Sequence, residues 1–150
     1  MSLKKLLFST SNDTGLTLAR IMLGLVMFPH GAQKVLGWFG GYGWSGTMGF
    51  FTQQMGIPAI FAVLAILAEF LGAFGLITGL FGRIAAFGIL TNMVVAVAMV
   101  HAKVGFFMNW GGTQQGEGYE YALLAGTLAL LIVWKGSGAY SADRLIAAKG

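Results

Sequence analysis

The run from Ile57 to Phe81 carries a single charged residue, Glu69, near its middle. It exceeds the roughly 20 apolar residues that an α-helix needs to cross the hydrocarbon core of a bilayer. Lipid offers no hydrogen bonds, so a segment of this kind must satisfy its own backbone, and a helix does so. Composition supports a membrane setting for the whole chain. The chain is 57% hydrophobic and only 9% charged, whereas soluble domains carry about a quarter charged residues. With 150 residues there is room for one domain.

Three further apolar segments complete an all-α reading, with predicted helices at about 16–36, 57–81, 84–100 and 119–134. Ser11, Asn12, Asp13 and Thr14 offer N-cap side chains before the first. Pro29 is expected to kink it. The third follows a tight Gly82–Arg83 connection. The fourth is short, with Tyr119, Tyr121 and Trp134 as aromatic belts at its ends. The expected architecture is an integral membrane, antiparallel four-helix bundle. Lys4 and Lys5 precede only a brief apolar stretch, so the first long segment reads as an uncleaved anchor.

Lys4, Lys5, Arg83, Lys135, Arg144 and Lys149 fall on one side of this arrangement, and Lys34 and Lys103 on the other. The positive-inside rule then puts both termini in the cytoplasm. The connections 37–56 and 101–118 are glycine- and aromatic-rich, and are expected as interfacial loops at the outer headgroup level. The pairs Gly75 with Gly79 and Ala122 with Gly126, and the row Gly88, Asn92 and Ala96, mark helix-contact faces. They serve the bundle or a homo-oligomer. With no cysteine, the chain holds no disulfide, thiolate metal site or iron–sulfur cluster of its own. The net charge of +4 is modest, and nucleic acid is not expected as a partner.

Ionisable groups at membrane depth are costly and mark function unless paired. Arg20, His30 and Lys34 lie on the first helix, Glu69 on the second, His101 at the end of the third and Glu120 at the start of the fourth. Arg20, Gly24, Met27, Gly31 and Lys34 follow steps of four and three and share one face. The set predicts a polar path leading inward from the outer surface. Each member also has a structural alternative. Glu69 pairs with Arg20, Arg20 snorkels, the histidines are interfacial, Lys34 and Glu120 are rim residues, and Asn92 makes an interhelical hydrogen bond.

Protonatable groups beside aromatic side chains suit a quinone. Its ring stacks on residues such as Trp38 and Trp110, its carbonyls accept from His30, Lys34 or Arg20, and its reduction needs protons relayed by His30, His101 and Glu69. Bis-histidine haem ligation by His30 and His101 is disfavoured, because haem sites in helix bundles lie deep and these histidines sit at helix ends. The spacing of His30, His101 and Glu120 matches no metal motif. No flavin or dinucleotide fingerprint is present, so electrons would come from a soluble redox partner.

The motifs in order resemble the DoxX family of small bacterial membrane proteins, from about Leu18 to Arg144. LARIMLGLVMFPHGAQKVLG is similar to the family's R-x3-G-x-x-F-x-x-H-G-x-x-K pattern, with Met27-Phe28 at the aromatic position. LAEFLGAFGLITGLFGRIAA resembles its glutamate–glycine segment, with Ala73 where a second glycine is often found. HAKVGFFMNWGG and GYEYALL resemble its later elements. The resemblance implies a four-helix bundle in the bacterial inner membrane. It also implies kinship with a subunit of thiosulfate:quinone oxidoreductase and with membrane complexes handling thiol and oxidative stress. Arg20, His30, Lys34, Glu69, His101 and Glu120 match the family's polar positions. Two other readings stay open. One is a non-enzymatic scaffold docking a soluble redox enzyme through its outer loops or the tail 135–150. The other is a small transporter, for which four helices leave little room.

Overall fold

The computed structural model describes residues 3–148, and every regular element among them is helical. A short α1 (Leu3–Phe8) precedes α2 (Thr14–Val35). A 3-10 turn (Trp38–Gly40) leads into α3 (Gly43–Gly49), which runs on as a π-helical turn (Phe50–Gln54). Then come α4 (Ala59–Thr78), α5 (Gly82–Met99), a 3-10 turn (His101–Lys103), α6 (Glu120–Lys135) and α7 (Ala142–Ala148). The segment expected as the first interfacial loop is therefore largely helical. Of the basic residues counted for orientation, Lys149 and the Lys4 side chain lie outside what is described.

Local chemistry sets the boundaries. Asp13 caps α2, its carboxylate accepting from the Leu16 N–H at 3.1 Å. The helix continues through Pro29. Gly79 ends α4 in the left-handed region at φ 70°, its N–H bonded to the Gly75 carbonyl at 2.8 Å. Phe81, itself left-handed at φ 51°, turns the chain straight into α5.

α2 packs chiefly on α4, α4 on α5, α5 on α6, and α6 closes back on α2. The start of α2, the end of α4, the start of α5 and the end of α6 meet at one end. There Arg20 reaches the Ile77 carbonyl and Arg83 that of Trp134. Successive long helices thus run antiparallel. Glycine permits the close approaches. A Cβ on Gly31 would lie 2.6 Å from the Phe70 Cα, and one on Gly88 2.8 Å from the Ala68 Cβ. Gly72, Gly75 and Gly126 likewise face residues of a neighbouring helix, so these small-residue faces are occupied within the chain. Gly79 instead forms the helix end beside Ser141 and Arg20.

The core centres on Leu23, Met27, Leu76, Ile89, Ala129 and Ile132, all nearly or fully buried. The outward faces are as apolar as the core, with Leu18, Phe61, Phe87, Val94 and Leu124 exposed. A water-soluble fold does not present contiguous faces of this kind. α2, α4 and α5 are each long and apolar enough to cross a membrane, and the chain is a membrane protein. α6, at 16 residues, is shorter than these three.

The segment after α6 is no free tail. Ser137 and Asp143 are buried, and α7 packs on α1.

Candidate functional site

Gly31 brings α2 against α4 at the level of Glu69 and Phe70. Lys34 lies one turn further along α2, and a helical side chain leans toward its own N-terminus. That lean carries Lys34 Nζ back to Glu69 Oε2, at 2.5 Å. Lys34 Nζ also donates to the His30 carbonyl at 3.4 Å. The other carboxylate oxygen, Glu69 Oε1, accepts from Asn92 Nδ2 of α5 at 3.3 Å, and the same amide donates to the Ala65 carbonyl at 2.8 Å. Glu69 is thus held by two neighbouring helices, halfway along α4 and about 15 Å from either end of it. An isolated charge at that depth costs about 2.5–3.5 kcal/mol on insertion scales, and pairing offsets this. The two side chains differ in exposure, at 23% for Lys34 and 9% for Glu69.

The exposed part of Lys34 opens on a cavity of about 250 Å³, lined also by Gln33, Tyr42, Thr47, Phe50 and Phe51. α3 and its π-helical extension form the far wall. The turn into it is tight. Gly37 is left-handed at φ 72°, and a Cβ on Gly41 would meet the Gln33 carbonyl oxygen at 2.3 Å. Phe39 adopts φ 53°, a strained conformation for a bulky residue. Gln33 Nε2 donates to its carbonyl at 3.1 Å. His30 stands just behind Lys34, its ring 5.8 Å from that of Tyr121, whose hydroxyl donates to Met27 Sδ at 3.3 Å.

The expected polar path is not one path. Arg20 does not pair with Glu69, nor does it snorkel, being fully buried. Its guanidinium donates to the carbonyls of Leu76, Ile77 (2.8 Å), Ser137 (2.7 Å) and Tyr140 (2.8 Å), stitching α2, the end of α4 and the chain after α6 together. The reason is depth. Arg20 faces the end of an antiparallel α4, two turns away from Glu69, and there it meets carbonyls left open by helix termination.

His101 and Glu120 form a third group. His101 Nδ1 bonds the Glu117 carbonyl at 2.7 Å. Glu120 Oε1 accepts from the Met108 N–H at 2.9 Å and from Trp110 Nε1 at 3.1 Å. Glu120 therefore pins the connection before α6, and Trp110 is 87% exposed on it. Trp38 packs edge-on against Phe39 and is not among the cavity's lining residues. Of the residues nominated from sequence, Lys34 and Glu69 meet directly with His30 adjoining, while Arg20, His101, Glu120, Trp38 and Trp110 lie elsewhere. Asn92 makes the interhelical hydrogen bond foreseen for it. His30 and His101 have different partners, and among the described residues no group of three or more His, Asp or Glu is placed to hold a metal ion.

Sequence reasoning missed Asp143 and the cavity wall. Asp143 is 1% exposed and accepts from the N–H groups of Phe81 (2.7 Å) and Gly82 (2.9 Å) and from Ser137 Oγ (2.6 Å). It is an N-terminal cap for α5 supplied from the far end of the chain. Its only signal is an acidic residue after the Ser/Gly segment 136–141, where a positive-inside tail would favour bases.

In comparison with known proteins, the DoxX family model matches residues 15–102, more than half of the chain. The match takes in α2 through α5 and His101, hence both partners of the Lys34–Glu69 pair. No curated protein and no solved structure matches the chain.

Proposed function

The chain belongs to the DoxX family, and from that premise we propose that it is the quinone-interacting membrane subunit of an oxidoreductase system. The observation that carries this reading is the Lys34–Glu69 pair standing at the wall of an aromatic cavity. The donor set fits the group. Lys34 Nζ is a cationic donor for a carbonyl oxygen, and Tyr42, Phe50 and Phe51 offer aromatic faces. The volume, about 250 Å³, is below the roughly 300–1,000 Å³ of sites for drug-sized ligands. It accommodates a ring head group with an isoprenoid tail left in lipid. A quinone bound there supplies two-electron, two-proton redox chemistry. Lys34 orients and donates to a ring oxygen. Glu69, behind it, holds the Lys34 ammonium in place as the proton donor to that oxygen, and Asn92 holds the carboxylate. The two protons taken up per reduction are supplied by water through the open side of the cavity. The electrons come from a soluble redox partner, since the chain has no flavin or iron–sulfur motif.

In this reading α2, α4, α5 and α6 form a four-helix bundle in the bacterial inner membrane, with both termini cytoplasmic. Arg83, Lys135 and Arg144 gather at the end that carries the N-terminal segment. There Arg83 donates to the Ser9 carbonyl at 3.0 Å and Arg144 to Asn12. Because the chain lacks cysteine, Ala148→Cys and Gln114→Cys test the orientation directly. A membrane-impermeant thiol reagent added to intact spheroplasts should label only Gln114→Cys, and the reverse pattern overturns it.

The function is tested by a reduced-minus-oxidised ultraviolet–visible spectrum of protein purified in mild detergent and resupplied with a short-tailed benzoquinone, against a lipid blank. A stoichiometric quinone difference is expected, and Glu69→Gln should abolish partner-linked turnover while the protein stays folded. A featureless difference overturns the reading. It would favour a scaffold that docks a redox enzyme, for which exposed Trp110 and Phe107 on the 101–118 connection offer the surface.

A further inference from the structure

Threonines inside helices usually return their hydroxyl to the carbonyl four residues earlier. Thr52, Thr78, Thr91 and Thr127 do so here, at 2.7–2.9 Å. Thr47, in the last turn of α3, does not. Its hydroxyl has no hydrogen bond to any described residue. Thr47 is nevertheless 94% buried, being 6% exposed, and the surface it keeps faces the cavity it shares with Lys34. Its oxygen is also not among the sealed, unpartnered polar atoms, a class represented among the described residues only by Arg83 Nε. A hydroxyl left open to a cavity, when its own helix offers an acceptor, is a binding position in waiting.

We propose that Thr47 is a second ligand-binding residue of the Lys34 cavity, donating its hydroxyl hydrogen bond to an oxygen on the ring of the bound head group. The proposal rests on the quinone reading above and narrows it. Lys34 supplies one polar contact, Thr47 another, and Phe50 and Phe51 offer apolar aromatic surface to the ring. The ligand class is a small planar ring bearing more than one oxygen. Gln33 is already committed, its amide N–H bonded to the Phe39 carbonyl, and Tyr42 is largely exposed, so Thr47 is the buried uncommitted neutral donor of the wall. The strained Phe39 and the glycine turn before α3 become intelligible as the cost of bringing this helix, and Thr47 with it, over Lys34.

The test uses the full-length protein in lipid nanodiscs, titrated with a short-tailed benzoquinone. Binding is read as the saturable quenching of tryptophan emission, with Trp44 lying one turn before Thr47. Thr47→Val keeps the shape and removes the hydroxyl. It should raise the apparent Kd about fivefold, the equivalent of one neutral hydrogen bond. Thr47→Ser keeps the hydroxyl and should stay within about twofold of wild type. Thermal unfolding followed by the same emission checks that each variant is folded, and Thr47→Ala substitutes for Thr47→Val if the latter is not. Saturable binding by wild type with an unchanged Kd in Thr47→Val overturns this proposal alone. Equal weakening in Thr47→Val and Thr47→Ser overturns it as well, since shape and not the hydroxyl would then matter. Absence of saturable quenching in wild type overturns the quinone reading and the role of Thr47 with it.

Discussion

Removing Lys34 from the Lys34–Glu69 pair should cost at least as much as removing both partners. At 2.5 Å and an effective dielectric of about 20, the gross attraction is about 7 kcal/mol. Desolvation of both groups offsets most of it, so the pair's net contribution is small. A partner left alone has no such offset. Lys34→Met leaves the Glu69 carboxylate 9% exposed with only Asn92 to satisfy it, and should destabilise by about 3–5 kcal/mol. Glu69→Gln leaves an ammonium whose side chain is 23% exposed and can turn into the cavity. Its cost should be lower, about 1–3 kcal/mol. The double variant replaces the pair with uncharged groups and should lose no more than Lys34→Met alone. The coupling in the cycle is then at least the Glu69→Gln cost, about 1–3 kcal/mol. The assay is reversible denaturant unfolding of all four proteins in mixed micelles, followed by tryptophan emission. Additive losses, with coupling below about 0.5 kcal/mol, would show that the two charges act independently and would refute the argument. A larger loss in Glu69→Gln than in Lys34→Met would refute the asymmetry drawn from exposure.

Further outcomes follow from neighbouring contacts. Gly31→Ala puts a methyl 2.6 Å from the Phe70 Cα, a backbone atom that cannot step aside, so α2 and α4 must separate by about 1 Å. A loss of about 1–3 kcal/mol is expected, with weaker quinone binding because Lys34 moves with α2. Asp143→Ala strands the N–H groups of Phe81 and Gly82 and should cost at least about 2–3 kcal/mol in the same unfolding assay, with Asp143→Asn costing less. Glu120→Ala releases the Met108 N–H and the Trp110 indole. Hydrogen exchange should rise across 106–118 while global stability falls by only about 1 kcal/mol, since this connection is mostly exposed.

Hydrophobic runs and their punctuation decided much of this molecule in advance. Spanning length is a property of consecutive residues, so α2, α4 and α5 are legible from the apolar segments, and the Asp13 cap from a single residue type. The step-of-four face on α2 pointed to Gly31 and Lys34 because helical geometry converts spacing into direction. Asn92 was legible for the same reason, as a polar residue on a face of small residues.

Partner choice was decided elsewhere. Arg20 and Lys34 share one face of α2, and nothing in the sequence says which of them meets Glu69. The answer depends on the axial register of α2 against α4, set by where Gly24 and Gly31 let the backbones touch. That register puts Arg20 among open carbonyls and Lys34 opposite the carboxylate. The roles of Asp143 and Thr47 were not legible for a related reason. One caps a helix that starts 61 residues earlier, and the other matters only because α3 folds over Lys34. Composition and periodicity thus determined which segments enter the membrane. Long-range packing alone determined which polar groups meet inside it, because a hydrogen bond depends on distance in space and the sequence records only distance along the chain.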